Sequence, residues 1–527
     1  MVANSIRFMK QISFVLVLCV AILSCHKKVD NPAPILDFNQ TTLSLPATPG
    51  ASADLIVESN IDWQVSLSSG ADWLQLNKTS GHANDTIHIT VIKESDGAQS
   101  RTASITAVPA NTSISLQAQA TIEQKPYNAQ LLSQKTLGGN GTDNIDQAVH
   151  TSDGGLLLVG KTQSNKTGDV GTNHGSTDAW IIRLNSNLDT VWTRVMGGTG
   201  YDEAHKAIAT TDGGFIVAGT TESNNSGDVG ANHGASDWWI IKLKSNGDTA
   251  WTSVFGRAYD DALRGMAATA DGGFVVAGYT VNKPSSSDVD VMVAKFNSSG
   301  NVVWQKIVGG TVEDFGRDVS VASDGSIYVV ASTSNNNTRD VGASHGREDY
   351  WVIKLKDNGD PVWMKLFGGD QSDSPYAIAS TTDGGAIITG SSTSNQSGDV
   401  GVNHGGQDLW VVKVNANGDM GWNKLLGGSG YEASHAVNAT PDGGYLIAGS
   451  SNSTDGDVGP TQGADDLWVL KLNGAGQILW SKTFGSSGYD DESSLLLNSD
   501  GSFYVTGYTD NNPHGNGDGW LLKLKDQ

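Results

Sequence analysis

The sequence predicts an all-β protein that combines a small β-sandwich with a seven-bladed β-propeller of four-stranded blades. Three observations lead to this prediction. Apolar and polar residues alternate in short runs, Gly is abundant (65 residues) while Pro is scarce (12), and one unit recurs seven times after about residue 130. Short alternating runs separated by Gly-containing turns are typical of strands rather than helices.

The repeated unit carries three anchors. The first is an Asp two residues before a large apolar residue, with Lys or Arg three residues further on; this Asp occurs at Asp178, Asp237, Asp290, Asp349, Asp408, Asp466 and Asp518. The second is an Asp-Gly turn, beginning at Asp153, Asp212, Asp271, Asp324, Asp383, Asp442 and Asp500. The third is a Trp five residues before a Gly, at Trp192, Trp251, Trp304, Trp363, Trp422 and Trp480. Because Asp-Gly between apolar runs favours a hairpin, each unit is predicted to form four antiparallel strands.

The two ends of the repeat array complement each other. The last unit ends at Gln527, after its third strand, and the missing fourth strand occurs at the start of the array, over 131–137. We therefore expect this N-terminal strand to join the last blade and close the ring formed by residues 130–527. An open ring would leave exposed strand edges.

The units follow the pattern G-G-x-G-x-D-x-A, then D-G-G-φ-φ-φ-x-G-x-T, then D-x-W-φ-φ-K-L, where φ is apolar. This pattern resembles the bacterial β-propeller repeats of exported proteins. The resemblance covers nearly all of 131–527 and implies the fold, but such repeats carry little functional information.

Residues 35–125 show period-2 runs without a helical period, which predicts a β-sandwich. Their motifs, in order, are Trp63-x-Val65, Trp73-Leu74, Ser80-Gly81, Ile87-x-Ile89-x-Val91, Arg101-x-Ala103-x-Ile105 and Ile122-x-Gln124. This order resembles a BACON domain, which implies an immunoglobulin-like module of Bacteroidetes surface proteins. Such a module acts as a spacer or binds carbohydrate, and both roles stay open. Trp63 and Trp73 are interpreted as core residues.

The N-terminus has the features of an export signal. Arg7 and Lys10 precede an apolar stretch over 11–23 that is too short for a comfortable membrane span. The sequence Ser24-Cys25 resembles a bacterial lipobox, although Leu23 departs from its usual small residue. We therefore expect a signal peptide over 1–24, lipidation of Cys25, a linker over 25–34, and anchoring at the outer membrane or cell surface. An ordinary signal peptide with an incidental Cys is the alternative.

Composition narrows the partners. The formal net charge is −23, which argues against nucleic acid because phosphate binding needs clustered Lys and Arg. Cations, neutral glycans and basic proteins remain compatible with this charge as partners. The two cysteines, Cys19 and Cys25, both lie near the N-terminus, so a disulfide framework and a Cys-rich zinc site in the body of the protein are excluded.

A carboxylate lies ten residues before each Asp-Gly turn, at the expected entrance of the innermost strand. The seven are Asp143, Asp202, Asp261, Asp314, Asp373, Glu432 and Asp490. One hypothesis is a ring of carboxylates at the mouth of the central channel that attracts a cation. The alternative, favoured because every unit has the residue, is that each carboxylate accepts backbone N–H groups within its own Gly-rich loop.

Three residues after each of these carboxylates, the residue type differs from unit to unit. The residues are Asp146, His205, Arg264, Arg317, Tyr376, His435 and Ser493. If they face the channel mouth, they could bind an asymmetric ligand, and His205, Arg264, Arg317, Tyr376 and His435 are the candidate ligand-binding residues. A solvated rim is the alternative interpretation.

A Gly-rich loop with Asp, Asn and His recurs between the second and third strands, first over Gly168–Gly175. Its oxygen and imidazole groups would suit a metal such as Ca²⁺. One Asp and one His per loop is few, however, and a loop shaped by Asx turns is the favoured interpretation. No other cofactor is expected.

These features favour a surface-anchored binding or scaffold protein that recognises a glycan or a protein partner, with the membrane contacted only by the lipid anchor. The alternative is a hydrolase or lyase acting on polysaccharide at the channel mouth. A glycosidase needs two carboxylates in distinct environments. The sequence offers many equivalent Asp residues, and neither a nucleophile elbow nor a His-Glu-x-x-His motif.

Overall fold

A computed structural model describes residues 32–526, except 46–49, 94–99, 126–127, 284–287, 335–337 and 512–514. These residues form 37 strands, and no helix occurs among them. The protein is therefore all-β, as the alternating pattern predicts. The predicted signal peptide and Cys25 lie outside the described residues, as does most of the linker.

The N-terminal region is a sandwich of two sheets. Its first sheet has the order β1 (Leu36–Phe38), β3 (Ser52–Ser59), β7 (Asp85–Val91), β5 (Leu74–Leu76). Its second sheet has the order β2 (Thr42–Leu45), β9 (Ala118–Gln124), β8 (Arg101–Pro109), β4 (Asp62–Leu67), β6 (Ser80–His82). All strand pairs are antiparallel except β2 with β9.

The sandwich core holds both tryptophans of this region. Trp63 and Trp73 are buried between the sheets with Leu55, Ile87 and Ile105. The indole Nε1 of Trp63 donates to the backbone oxygen of Ala83 at 2.9 Å. Since both rings are enclosed, neither offers a face to a ligand, which agrees with their interpretation as core residues.

Residues 129–526 form seven four-stranded antiparallel sheets. Sheets 1 to 3 are β11 (Asp143–His150), β12 (Leu156–Thr162), β13 (Asp178–Leu184), β14 (Thr190–Met196); β15 (Asp202–Ala209), β16 (Phe215–Thr221), β17 (Asp237–Leu243), β18 (Thr249–Phe255); and β19 (Asp261–Ala268), β20 (Phe274–Val281), β21 (Val289–Phe296), β22 (Val302–Val308). Sheets 4 to 6 are β23 (Asp314–Val321), β24 (Ile327–Thr333), β25 (Asp349–Leu355), β26 (Pro361–Phe367); β27 (Asp373–Ser380), β28 (Ala386–Ser392), β29 (Asp408–Val414), β30 (Met420–Leu426); and β31 (Glu432–Ala439), β32 (Tyr445–Ser451), β33 (Asp466–Leu472), β34 (Ile478–Phe484). Sheet 7 is β35 (Asp490–Leu497), β36 (Ser502–Thr509), β37 (Asp518–Asp526), β10 (Ala129–Leu137).

The sheets are arranged in a ring. The first strand of each sheet lies beside the first strand of the next sheet, and β35 of sheet 7 lies beside β11 of sheet 1. Apolar side chains of the second and third strands fill the space between neighbouring sheets. This arrangement is a β-propeller, in which the first strands surround the central axis.

The ring closes through the strand that the sequence assigns to the last unit. β10 runs antiparallel to β37, with Leu137 opposite Gly519 and Ala129 opposite Asp526. It begins two residues earlier than the predicted span of 131–137. Ala129 and Leu137 are buried, so the closing strand contributes packing as well as backbone hydrogen bonds.

Two of the repeated anchors have structural roles. In five sheets the basic residue of the third strand reaches the Asp-Gly turn of its own sheet, as in the 2.9 Å contact between Lys242 Nζ and Asp212 Oδ1. In sheet 4, Lys354 Nζ instead donates to the backbone oxygens of Gly384 and Ala416 in sheet 5. The repeated Trp contacts the following sheet. For example, Trp304 Nε1 donates to the backbone oxygen of Asp357 at 2.9 Å. The basic residue of the first anchor therefore fixes a turn, and the Trp of the third anchor ties neighbouring sheets together.

The closing strand gives a direct test of ring stability. A fragment that begins at Gly138 lacks β10 and leaves β37 as an open edge, whereas a fragment that begins at Ala129 keeps it. We expect the shorter fragment to melt about 5 °C or more below the longer one, because it loses a full row of backbone hydrogen bonds and buried apolar surface. Thermal unfolding followed by circular dichroism measures the difference, and equal melting temperatures would refute closure by β10.

Candidate functional site

The first strands of the seven sheets surround a cavity of about 350 Å³ on the propeller axis. The residues three positions after the repeated carboxylates all line it: Asp146, His205, Arg264, Arg317, Tyr376, His435 and Ser493. The five candidate ligand-binding residues are thus brought together, although they belong to five different sheets. Lys161 and Lys206 also contribute to the wall.

A β-bulge places each of these residues in the cavity wall. The pairing of the first and second strands skips one residue in six sheets, and the skipped residues are Asp146, His205, Arg264, Arg317, Tyr376 and Ser493. In sheet 6 the skip covers Ser434 and His435. A bulge leaves its extra residue out of the ladder and re-aims its side chain. The cavity lining is therefore a set of bulged residues rather than one face of regular strands.

A glycine on the second strand makes room for the bulge. A Cβ on Gly160 would lie about 2.0 Å from the backbone oxygen of Asn144, and one on Gly219 would meet the backbone oxygen of Glu203 in the same way. Both are the last Gly of the repeated D-G-G-φ-φ-φ-x-G pattern. Gly inside a strand often marks a bulge, so this residue was the available sequence signal for the geometry of the site.

One side of the cavity is a saturated polar network around His205. Its Nδ1 lies 2.8 Å from Asp146 Oδ2, and its Nε2 lies 2.6 Å from Glu203 Oε1. The other oxygen of Glu203 accepts from Lys161 Nζ at 3.0 Å and Tyr201 Oη at 2.8 Å. Both ring nitrogens and both carboxylate oxygens are therefore engaged.

The charges in this network hold one another ionised. Burial acts to raise the pKa of Glu203, but the positive charge and hydrogen bond of His205, together with Lys161, outweigh it and hold that pKa well below its usual range. Burial likewise acts to lower the pKa of His205, and the carboxylates of Glu203 and Asp146 overcome it and raise that pKa. Arg264 lies at the edge of the network, with Nη1 3.9 Å from Glu203 Oε1.

The opposite side of the cavity carries an aromatic and basic group of residues. The rings of Tyr376 and His435 have centroids 4.4 Å apart, and the Arg317 guanidinium lies 5.7 Å from the Tyr376 ring centroid. His435 contacts Glu492 through both its backbone N and its Nδ1, each 2.9 Å from Oε1. Burial, reinforced by the neighbouring charge of Asp491, raises the pKa of Glu492 to about 8.

Sequence reasoning did not single out Glu203, Lys161, Asp491 or Glu492. Glu203 and Glu492 occur at different offsets from the repeated carboxylate, one and two positions after it, and no other sheet repeats either Glu at its position. Lys161, a partner of Glu203, and His435, the partner of Glu492, come from neighbouring sheets, which a single-sequence pattern does not show. The signal available was that a carboxylate occurs at these offsets in only some units.

The repeated carboxylates themselves do not line the cavity. All seven are buried: Asp143, Asp202, Asp261, Asp314, Asp373, Glu432 and Asp490. Asp143 is typical: one oxygen accepts from Gly139 N and Ser164 Oγ, both at 2.7 Å, and the other accepts from Thr162 Oγ1. The cation-ring hypothesis is therefore not supported by their position, because they are enclosed in the loops that they hydrogen-bond.

Each of these carboxylates has a second buried Asp beside it from a neighbouring sheet. The first-anchor residue Asp237 of sheet 2, for example, lies close to Asp261 of sheet 3, and a Cβ on Gly256 would collide with both. Burial and, to a lesser extent, the charge of Asp237 raise the pKa of Asp261 to about 6, although hydrogen bonds oppose the shift. These pairs join adjacent sheets and are held where charge is costly.

The recurring Asn-His loop is shaped by its own hydrogen bonds. Gly175 N donates to Asn173 Oδ1 at 2.9 Å, which is an Asx turn, and His174 N donates to Asp178 Oδ2 at 2.5 Å. In the described residues, one group of three His and carboxylate side chains has ligand atoms within 4.8 Å of one another, and it lies in the cavity rather than in these loops. The loop geometry fits turn formation rather than Ca²⁺ binding.

The chain matches no protein-family model. It is 24% identical over 337 residues to the regulatory protein FlaEY of Caulobacter vibrioides, a match that covers 62% of this chain and 31% of FlaEY. The chain thus spans about a third of the length of that relative.

Among solved structures, similarity extends to the Pan2 WD40 domain of Neurospora crassa, with 11% identity and a TM-score of 0.39 over 74% of this chain and 95% of that one. A DUF4623 family protein from Bacteroides eggerthii has 9% identity and a TM-score of 0.32, with 92% of each chain covered. Within the described part of the chain there is no helix of the length and apolarity that crossing a membrane requires.

The buried carboxylate pairs generate a pH prediction. Since the folded state raises the pKa of Asp261 above the usual 3.8, the folded protein holds a proton that the unfolded chain releases, and stability falls as pH rises from about 4 to about 6. We expect Asp261→Asn to remove about 1 kcal/mol of the stability difference between pH 5 and pH 7. Urea unfolding at both pH values measures this difference.

The substitution Asp189→Asn, at an exposed turn, controls for the loss of one charge. An Asp261→Asn variant with the same pH dependence as the wild type would show that folding does not raise the pKa of Asp261.

Proposed function

We propose that this chain is a surface-anchored binding lipoprotein whose seven sheets are the blades of one closed propeller, and that its central cavity binds an acidic glycan. In this proposal Cys25 carries the lipid anchor. The immunoglobulin-like, BACON-like sandwich acts as a spacer between the membrane and the propeller.

The observation that carries the proposal is the convergence of seven different bulged residues on one cavity. Residues of the same type in every blade stabilise the blade. At the bulge, the residue type differs between blades, whereas its position in the strand pairing stays the same. A volume of about 350 Å³ is at the small end of the range for ligand pockets and suits one or two sugar units rather than a protein loop.

The charges of the wall favour an acidic ligand. Lys161 and Asp146 are matched by Glu203 and His205, whereas the side chains of Arg264 and Arg317 are 37% and 26% exposed and meet their nearest carboxylates only at 3.9 and 3.7 Å. Arg binds carboxylate and sulfate groups through paired N–H donors. Four Lys and Arg side chains line the cavity against three carboxylates, so the recess is slightly basic in a protein of net charge −23. Such a recess favours acidic groups.

Tyr376 supplies the apolar surface that a sugar ring needs. Its ring packs against His435 on one side of the cavity, and the guanidinium of Arg317 lies nearby. An aromatic face with adjacent cationic donors is a suitable contact for a sugar ring that carries a carboxylate or a sulfate.

A second candidate function is hydrolysis or elimination on such a glycan. The environments of Glu203 and Glu492 push their pKa values in opposite directions, below and above the usual range respectively. Two carboxylates separated in this way are the pattern of a base and an acid in one site.

We predict that the full-length protein binds oligosaccharides rich in uronic acid or sulfate on a glycan array. The substitutions Arg264→Gln and Arg317→Gln should each weaken binding by about 10- to 100-fold, because each removes a charge-assisted hydrogen bond. Arg194→Gln is the matched control, since Arg194 packs on Trp192 outside the cavity. Calorimetric titration with an array hit measures the change.

Equal affinity in all three variants would refute binding in this cavity. Product formation from the bound oligosaccharide, lost in both Glu203→Gln and Glu492→Gln, would instead establish the enzymatic alternative.

A further inference from the structure

Glu492 combines complete burial with an incomplete set of hydrogen bonds. Its side chain is 0% exposed, and Oε1 accepts from the backbone N and Nδ1 of His435. Its other oxygen, Oε2, is buried and has no hydrogen-bond donor among the described residues. A buried carboxylate oxygen without a donor is costly and points to a missing partner.

Two further ligand groups surround this oxygen. The carboxylate of Asp491 and the imidazole of His435 each present an atom within 4.8 Å of the others and of Glu492. Asp491 lies on the exposed side, and the His435 side chain is 39% exposed toward the cavity. The group is therefore reachable from solvent and needs only small side-chain movements to reach metal-bond lengths of about 2.0–2.2 Å.

The His205 network shows what a complete arrangement of the same residue types looks like. There His205 lies between two carboxylates, Asp146 and Glu203, and Lys161 and Tyr201 satisfy the second oxygen of Glu203. At Glu492 the neighbouring group is a second carboxylate, Asp491, and Oε2 has no donor among the described residues. Two adjacent carboxylates repel each other unless a proton or a cation lies between them, and a bound cation would replace the proton that burial favours on Glu492.

The other cation near this group does not fill that role. Arg317 contacts the ring of Tyr376, with its guanidinium 5.7 Å from the ring centroid. Its own carboxylate contact is with Glu348, at 3.7 Å. The Asp491–Glu492 pair is thus left with His435 as its partner.

We propose that His435, Asp491 and Glu492 bind one divalent transition-metal ion, of the Zn²⁺ class, in the wall of the central cavity. One imidazole nitrogen and two carboxylate oxygens suit such an ion better than Ca²⁺ or Mg²⁺, which take all-oxygen ligand sets. Three protein ligands leave a coordination position that faces the cavity. This site stands on its own residues and does not depend on the glycan proposal.

The ion would also complete the charge pattern of the cavity. With a divalent cation on Asp491 and Glu492, the wall becomes positive on both sides, since Arg264 and Arg317 line the rest of it. An acidic ligand could then contact the ion and the guanidinium groups together.

The test is metal binding by the full-length protein after dialysis against a chelator. Titration with ZnCl₂, followed by calorimetry and by elemental analysis of the dialysed protein, should show one tight site per chain that 1 mM Ca²⁺ does not displace. Co²⁺ should give visible absorption bands at the same stoichiometry. We expect Glu492→Gln and His435→Asn each to weaken this site by at least about 10-fold.

Two further variants keep the result interpretable. Asp491→Asn alters an exposed residue, so it should weaken the site without unfolding the protein. His404→Asn removes a histidine that lies 2.7 Å from Asp408 but outside the cavity, and it should leave the site intact. Absence of a tight site in the wild type, or a site that persists unchanged in both Glu492→Gln and His435→Asn, would overturn the proposal.

Discussion

The closure of the ring between β10 and β37 is the interaction on which the rest of the structure depends. Each sheet buries its apolar residues against the next, so a seam anywhere would expose one sheet and loosen its neighbours. Closure also fixes the radius of the ring of first strands. The bulged residues meet in one small cavity because those strands cannot spread apart.

Within that ring, the first strand of each of the seven sheets has a β-bulge at the same position, and the type of the bulged residue differs between sheets. In six of the seven units a Gly on the second strand, such as Gly160 or Gly219, allows the close approach of the first-strand backbone at the bulge. In sheet 4 this position is Ala331, and it lies opposite Gly316 of the first strand. The fold thus separates two tasks. Residues that repeat, such as the carboxylates that order the Gly-rich loops and the Trp residues that contact the following sheet, stabilise the blades, while the bulged residue varies.

Much of this could be predicted from the sequence, because repetition makes structural residues visible. The Asp-Gly turns, the Asp anchors and the displaced fourth strand indicated the four-stranded units and the closing strand. Comparison of the units also identified the candidates His205, Arg264, Arg317, Tyr376 and His435, because the residue type differs at this position while the surrounding repeat motif is kept. The structural role of Asp143 and its equivalents followed from their presence in every unit.

The features of the site that the sequence did not predict depend on contacts between units, and a single sequence does not show which residues of different units are in contact. Glu203 matters because Lys161 and His205 reach it, and Lys161 belongs to the preceding sheet. Glu492 matters because it is enclosed and faces His435 of sheet 6. The bulge had a local signal in the strand-interior Gly, but its effect on side-chain direction appears only once first and second strands are paired.

In our proposal, the bulged residues of a closed ring form the binding site. A crystal structure of the protein soaked with an acidic oligosaccharide, recorded at the zinc absorption edge, tests this most directly. The account predicts sugar density in the axial cavity in contact with Arg264, Arg317 and Tyr376, and an anomalous peak between Asp491 and Glu492. Sugar bound elsewhere on the propeller or on the sandwich, with the axial cavity holding only solvent, would contradict it.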